Sequence, residues 1–165
     1  MTEGTISLIL AALALIISIT AFLISRKQPA VPVMPDYNTV PLQLQAYERL
    51  VLLVERISLP NLVGRMNHPQ LSARELQVLL LENIKQEFEY NTSQQIYVSQ
   101  TAWEAVRNLR DQSLLIINTI ARTLSPEASA KDLNKGILEA IMSQENAALH
   151  TLALTTVSDE AKKIM

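Results

Sequence analysis

The sequence predicts an all-α fold: a single N-terminal transmembrane helix, a Pro-rich linker, then a bundle of four or five helices. Three observations lead there. Residues 6–25 carry no charge and are mostly apolar, residues 28–41 hold four of the seven prolines, and from residue 42 onward apolar positions recur at helical spacing. Composition agrees, because the 165 residues include only three glycines and two phenylalanines. Leu, Ala, Gln and Glu, all good helix formers, are plentiful. The expected division is an N-terminal tail and membrane helix over 1–27, a linker over 28–41 and a helical domain over 42–165.

The run from Ile6 to Ser25 matches the ~20 residues that cross about 30 Å of hydrocarbon. A cleaved signal peptide would begin with basic residues and have a shorter apolar core. Here the chain begins Met1-Thr-Glu-Gly, with an acid and no base. Arg26 and Lys27 follow the run directly, so the positive-inside rule puts the N-terminus outside and the domain in the cytoplasm. Small residues mark one side of this helix. Gly4, Ser7, Ala11, Ala14, Ser18, Ala21 and Ser25 are spaced 3, 4, 3, 4, 3, 4, a heptad seam. Such a seam lets helix backbones approach closely in a left-handed crossing, as in a membrane coiled coil. The partners it implies are the lipid bilayer and either a second copy of the chain or another single-pass membrane protein.

Pro29, Pro32, Pro35 and Pro41 make residues 28–41 an extended, semi-rigid spacer. The next segment, "LQLQAYERLVLLVERI", places Tyr47, Leu50, Val51, Val54 and Ile57 on one helical face, and Pro60 stops it. "PNLVGRMNHPQ" reads as a short turn or broken helix. Ser72-Ala-Arg-Glu75 is a capping box opening a helix from about Ala73 to Tyr90, with Leu76, Leu80, Ile84 and Phe88 inward. Residues 91–100 read as a loop. Ser99 or Thr101 caps the next helix, whose inward residues are Trp103, Val106, Leu114, Ile117, Ile120 and Leu124. Ser129-Ala-Lys-Asp132 opens a helix with Leu133, Ile137, Leu138 and Ile141 as its core face. The chain then continues helical to its end, with a kink near Ser143. No internal repeat is apparent.

Charges of both signs are interspersed and the net charge is −2, which argues against a nucleic-acid surface. With no cysteine there is no disulfide framework, thiolate metal site, cysteine nucleophile or lipid-accepting residue. The two histidines, His68 and His150, lack the Glu-x-x-His or His-x-x-x-His spacing of metal sites. Gly-x-Ser-x-Gly, Ser-x-x-Lys and Gly-rich phosphate loops are all missing. The expectation is no enzyme, no metal and no cofactor. One polar cluster stands out. Glu87, Glu89 and Tyr90 crowd the end of a helix, where acids oppose the dipole, which points to pairing with Arg107 or Arg110 or to a partner surface.

The stretches "LQAYERLVLLVERI", "EFEYNTSQQIYVS", "AWEAVRN" and "ASAKDLNKGI" resemble a family of small uncharacterised bacterial proteins of Bacteroidota type. The resemblance covers roughly residues 44–141. It implies one N-terminal membrane helix carrying a cytoplasmic helical domain, and it brings no activity or catalytic residues. The expected role is a membrane-tethered, non-enzymatic scaffold or subunit of an envelope assembly at the bacterial inner membrane. The alternative is a membrane-localised regulatory module that binds a peptide or small apolar ligand within the bundle.

Overall fold

Helices dominate because little else is available to this sequence: with few glycines, the chain offers no hairpin turns of the Asn-Gly type. The computed structural model describes residues 3–26, 38–142 and 145–165, and the side chains of residues 3, 6, 9, 25–26 and 145–148 lie outside that description. Among the described residues there are seven α-helices and no β-strand. Two separate compact units are present, Met1–Tyr37 and Asn38–Met165.

The first unit contains α1, Glu3–Arg26. Every side chain described in it is exposed, including Leu8, Ile17 and Ile24. Its hydroxyls turn back onto the helix. Ser7 donates to the Gly4 carbonyl at 3.0 Å, and Thr20 donates to the carbonyls of Ile16 and Ile17 at 3.0 and 2.9 Å. Among the described residues no helix is long and apolar enough to cross a membrane. The expected N-terminal transmembrane helix is thus not supported at the level of fold. What stands at the level of fold is therefore the all-α class. Lys27 and the linker up to Tyr37 lie outside the described residues.

The second unit begins earlier than residue 42. Helix α2 spans Val40–Ile57 and takes Pro41 into its first turn, where a missing N–H costs nothing. Asn38 Oδ1 accepts from the Val40 N–H at 3.1 Å. Ser58 is extended, so the break falls there and not at Pro60, which instead sits in the first turn of α3, Leu59–Arg65. Then come α4 (Ala73–Tyr90), a 3₁₀ turn at Thr92–Ile96, α5 (Gln100–Thr123), α6 (Ala130–Met142) and α7 (Glu145–Lys163). Among the described residues this unit holds six helices where four or five were expected, and the segment at Pro60, read as a short turn or broken helix, is a short helix of its own. The expected kink near Ser143 lies outside the described residues.

The core is one cluster drawn from all six helices. The face of α4 falls where its spacing put it, with Leu76, Leu80 and Ile84 fully buried and Phe88 nearly so. On α2 the buried stripe runs through Leu53 as well as Leu50, Val54 and Ile57, while Val51 is half-buried, because α2 packs on α4, α5 and α7 together. On α5 the buried positions are Ala102, Val106, Leu109, Ser113 and Ile117. Trp103, Leu114, Ile120 and Leu124 are only half-buried, and Leu138 on α6 is exposed. Trp103 lies against Phe88, ring centroids 5.0 Å apart, at the edge of the core.

One feature contradicts the absence of a repeat. Pro69-x-x-Ser72-Ala-Arg-Glu-Leu76-Gln and Pro126-x-x-Ser129-Ala-Lys-Asp-Leu133-Asn follow the same pattern, and the likeness extends to Asn61 and Asn118, Arg65 and Arg122, Glu82 and Glu139, Ile84 and Ile141. The two copies meet across a local two-fold relation. Ser72 and Ser129 form an isolated antiparallel bridge, in which the Ala73 N–H donates to the Ala128 carbonyl at 2.8 Å and the Ala130 N–H to the Leu71 carbonyl at 3.0 Å. Each copy is a helix, a Pro-led turn and a capped helix. The repeat escapes notice in the sequence because beyond the turn and cap the matching positions are scattered along helices of unequal length.

Candidate functional site

Three places on the described chain could serve function: the small-residue seam, a groove beside α4, and a pocket deeper in the bundle. Along α1 the side chains of Gly4, Ser7, Ala11, Ala14, Ser18 and Ala21 are exposed, and that of Ser25 lies outside the description, as does that of Arg26. A Cβ built on Gly4 would meet nothing within 4 Å. The seam is geometrically free to pack.

The groove runs between α2 and the C-terminal part of α4. It has a volume of about 660 Å³ and is lined by Glu48, Arg49, Leu52, Arg56, Glu87 and Tyr90 among others. Two of the three residues expected at a partner surface, Glu87 and Tyr90, therefore line it, whereas Glu89 is exposed outside its lining. Glu87 does not pair with Arg107 or Arg110. It accepts from Arg56, since α2 rather than α5 runs alongside that face of α4. The Glu87 carboxylate, as hydrogen-bond acceptor and as charge, raises the Arg56 guanidinium above its ordinary value. Arg110 pairs with Asp111 at 2.6 Å and lies over the Phe88 ring, 4.0 Å from its centroid. Tyr90 and Leu52 are 74% and 56% exposed, so the groove carries two apolar groups between charged rims.

The pocket lies between α3, α5, α6 and α7 and has a volume of about 190 Å³. Leu59, Pro60, Leu109, Ile116, Ile141 and Leu149 make its apolar walls; Gln112, Ser113, His150 and Thr151 supply polar groups. Ser113 is 2% exposed. His150 Nε2 lies 3.4 Å from Glu55 Oε1, close enough for an ion pair when protonated but without the alignment of a hydrogen bond. Glu55 Oε2 is already engaged by Asn61 Nδ2 at 2.7 Å. The other histidine, His68, stays in the turn before Pro69, and its carbonyl accepts from the Leu71 N–H at 3.1 Å. Among the described residues no group of three or more His, Cys, Asp or Glu side chains could hold a metal ion.

A polar junction that the sequence did not announce joins three helices. The Ser99 N–H donates to Tyr47 Oη at 3.0 Å, and Tyr47 donates to Glu160 Oε2 at 3.0 Å. The Ser99 hydroxyl donates to the same carboxylate oxygen and accepts from the Ala102 N–H at 3.0 Å, so Ser99, not Thr101, caps α5. The only trace in the sequence was Ser99 as a cap candidate. Its partners stand 52 and 61 positions away.

Neither curated proteins nor solved structures yield a match to the chain. The sequence model of a family of unknown function (DUF7935) matches residues 3–164, which takes in α1 and all six helices of the bundle. By that match across almost its whole length, the chain belongs to this family of unknown function.

Proposed function

We propose that the chain is a membrane-tethered, non-enzymatic helical module, a scaffold or subunit of an envelope assembly at a bacterial inner membrane. One observation carries the reading. Residues 6–25 form an uncharged run in the sequence, and the described side chains of the helix built from it are exposed apolar or small groups. Water is a poor solvent for so large an apolar surface, whereas hydrocarbon is a good one. The inward turn of Ser7 and Thr20 supports the same reading, because hydroxyls need internal acceptors where no water reaches. Arg26 and Lys27 set the N-terminus outside and the domain in the cytoplasm.

The seam of Gly4, Ser7, Ala11, Ala14, Ser18, Ala21 and Ser25 associates with a second copy or with another single-pass helix. The test has two arms. Protein in isolated membranes is extracted with alkaline carbonate, where a tethered chain stays with the bilayer and a peripheral one is released. The isolated α1 segment is then placed in a membrane-association reporter, where Ala14→Leu with Ser18→Leu abolishes the signal. An undiminished signal in the double variant rules out the seam.

The groove favours a second reading, a regulatory module that takes a peptide or small apolar ligand within the bundle. Leu52 and Tyr90 between Arg49, Arg56, Glu48 and Glu87 suit a peptide with an apolar anchor and charges of both signs. Crosslinking from a photoreactive residue at position 90 in native membranes tests it.

A further inference from the structure

We propose that the bundle rests on the bilayer surface through an uncharged ledge, formed by the start of α2, the 3₁₀ turn Thr92–Ile96 with the residues after it, and the end of α7. The inference rests on the membrane-tether reading and deepens it by naming the face of the bundle that meets lipid.

The ledge is first a matter of sequence. Residues 38–47 and 91–103 contain no charge at all, although charged residues make up 18% of the chain. The fold brings the two stretches together, because the 3₁₀ turn packs against the start of α2. With the end of α7 they enclose a depression of about 310 Å³, lined by Gln43, Ile96, Tyr97, Val98 and Ile164 among others. No residue of the turn is buried, and Ile96 is 71% exposed. Leu42, in the first turn of α2, is exposed as well. The turn therefore adds no buried side chain to the core while it holds an isoleucine in the open. A single exposed apolar residue is ordinary, but several grouped on a surface without charges mark a place of interaction.

The reach of the chain favours lipid as the partner. Residues 27–37 join α1 to Asn38, and eleven residues span at most about 40 Å. A chain anchored through α1 keeps the start of α2 within that reach of the bilayer. Contact with lipid is then effectively intramolecular and needs little affinity of its own. The chemistry of the ledge agrees. Apolar and neutral amide or hydroxyl groups suit the membrane interface, and Tyr97 adds a ring with a polar tip. Lys162 and Lys163 close the last turn of α7 beside Ile164. Asp159 engages Lys162 at 3.3 Å, and Glu160 accepts from Tyr47 and Ser99. The exposed Lys163 is left to meet an anionic headgroup.

The chain has no cysteine, so a single introduced one carries a label cleanly. Full-length chain with Ile96→Cys, or with Leu138→Cys on α6 as control, is labelled with a fluorophore and reconstituted into vesicles. One set is phosphatidylcholine with phosphatidylglycerol, the other phosphatidylcholine alone. Both replaced residues are exposed, so the urea midpoints should match that of the parent. Lipid brominated near the headgroup end of its acyl chains should quench the label at 96 and spare the one at 138. Acrylamide in the water should quench the label at 96 several-fold less than the one at 138. Adding Lys163→Glu should raise acrylamide quenching at 96 in the phosphatidylglycerol vesicles and leave it unchanged in the others. Incorporated chain whose label at 96 stays open to acrylamide overturns the ledge and leaves the tether standing. Shielding from acrylamide without quenching by brominated lipid places a protein surface, such as a second copy, on the ledge and overturns lipid as the partner. Quenching unmoved by Lys163→Glu overturns the headgroup contact. Failure of the chain to incorporate overturns tether and ledge together.

Discussion

Tyr47 shows how much one side chain can settle. Its hydroxyl accepts from the backbone of Ser99 and donates to Glu160, so one oxygen joins α2, the start of α5 and α7. Tyr47→Phe keeps the ring and leaves the Ser99 N–H without its acceptor. The expected loss is about 1–3 kcal/mol in chemical denaturation. The helix caps make a second residue-scale prediction. The N–H and then the hydroxyl of Ser72 hold the Glu75 carboxyl below its ordinary range, and the hydroxyl and then the N–H of Ser129 do the same for Asp132. Carboxyls depressed in the folded state stabilise it above the ordinary carboxylate range, and that contribution disappears as pH falls through their lowered values. Amide exchange should therefore show Ser72 and Ser129 losing protection together on acidification, before the helix interiors do. The Ser72 capping box and the helix start at Ser129 were legible in the sequence because each spans only four residues, whereas the box that Thr101 and Glu104 also spell does not form, since Ser99 caps α5. The Tyr47 junction was not legible, because nothing local marks partners that distant in the chain.

At the scale of elements, the glycines separate intrinsic helix propensity from packing. Gly64 lies in α3 with nothing within 4 Å of a built Cβ, whereas a Cβ on Gly136 in α6 would fall 2.7 Å from Ile120 Cγ2 on α5. Alanine is favoured over glycine in a helix by about 1 kcal/mol. Gly64→Ala should accordingly raise stability by up to about that amount. Gly136→Ala should lower it by about 1 kcal/mol net, because the β-branched Ile120 has little rotamer freedom to yield and overpacking costs about 1–3 kcal/mol. Equal stabilisation by both substitutions, measured by urea unfolding, would show that α5 and α6 are not held in close contact. Hydrophobic period and capping signals located α4, α5 and α6 well. They misjudged Pro60, since a proline can end one helix or occupy the first turn of the next, and only the extended Ser58 decides.

The whole bundle rests on a core in which equivalent positions of the two copies are both buried. Leu80 and Ile137 correspond in the repeat, and each is fully buried. Leu80→Ala and Ile137→Ala should each cost about 2–5 kcal/mol and shift one common unfolding transition of residues 38–165. Two separate transitions would mean the copies fold independently. The symmetry is imperfect in its polar contacts. Gln77 donates to Asn118 at 2.8 Å, while their counterparts Asn134 and Asn61 do not meet; Asn61 turns to Glu55, and Asn134 Oδ1 is buried without a partner among the described residues. By itself the sequence determined the helical class, the caps, the inner face of α4 and the uncharged run of α1, because each depends on residues a few positions apart. Tertiary structure alone decided which acid Arg56 holds, that Leu109 and Ser113 lie inward while Trp103 stays at the edge, and that two turns bridge as a pair. Those outcomes depend on how the helices are rotated against one another, and helical period fixes a face without fixing what covers it.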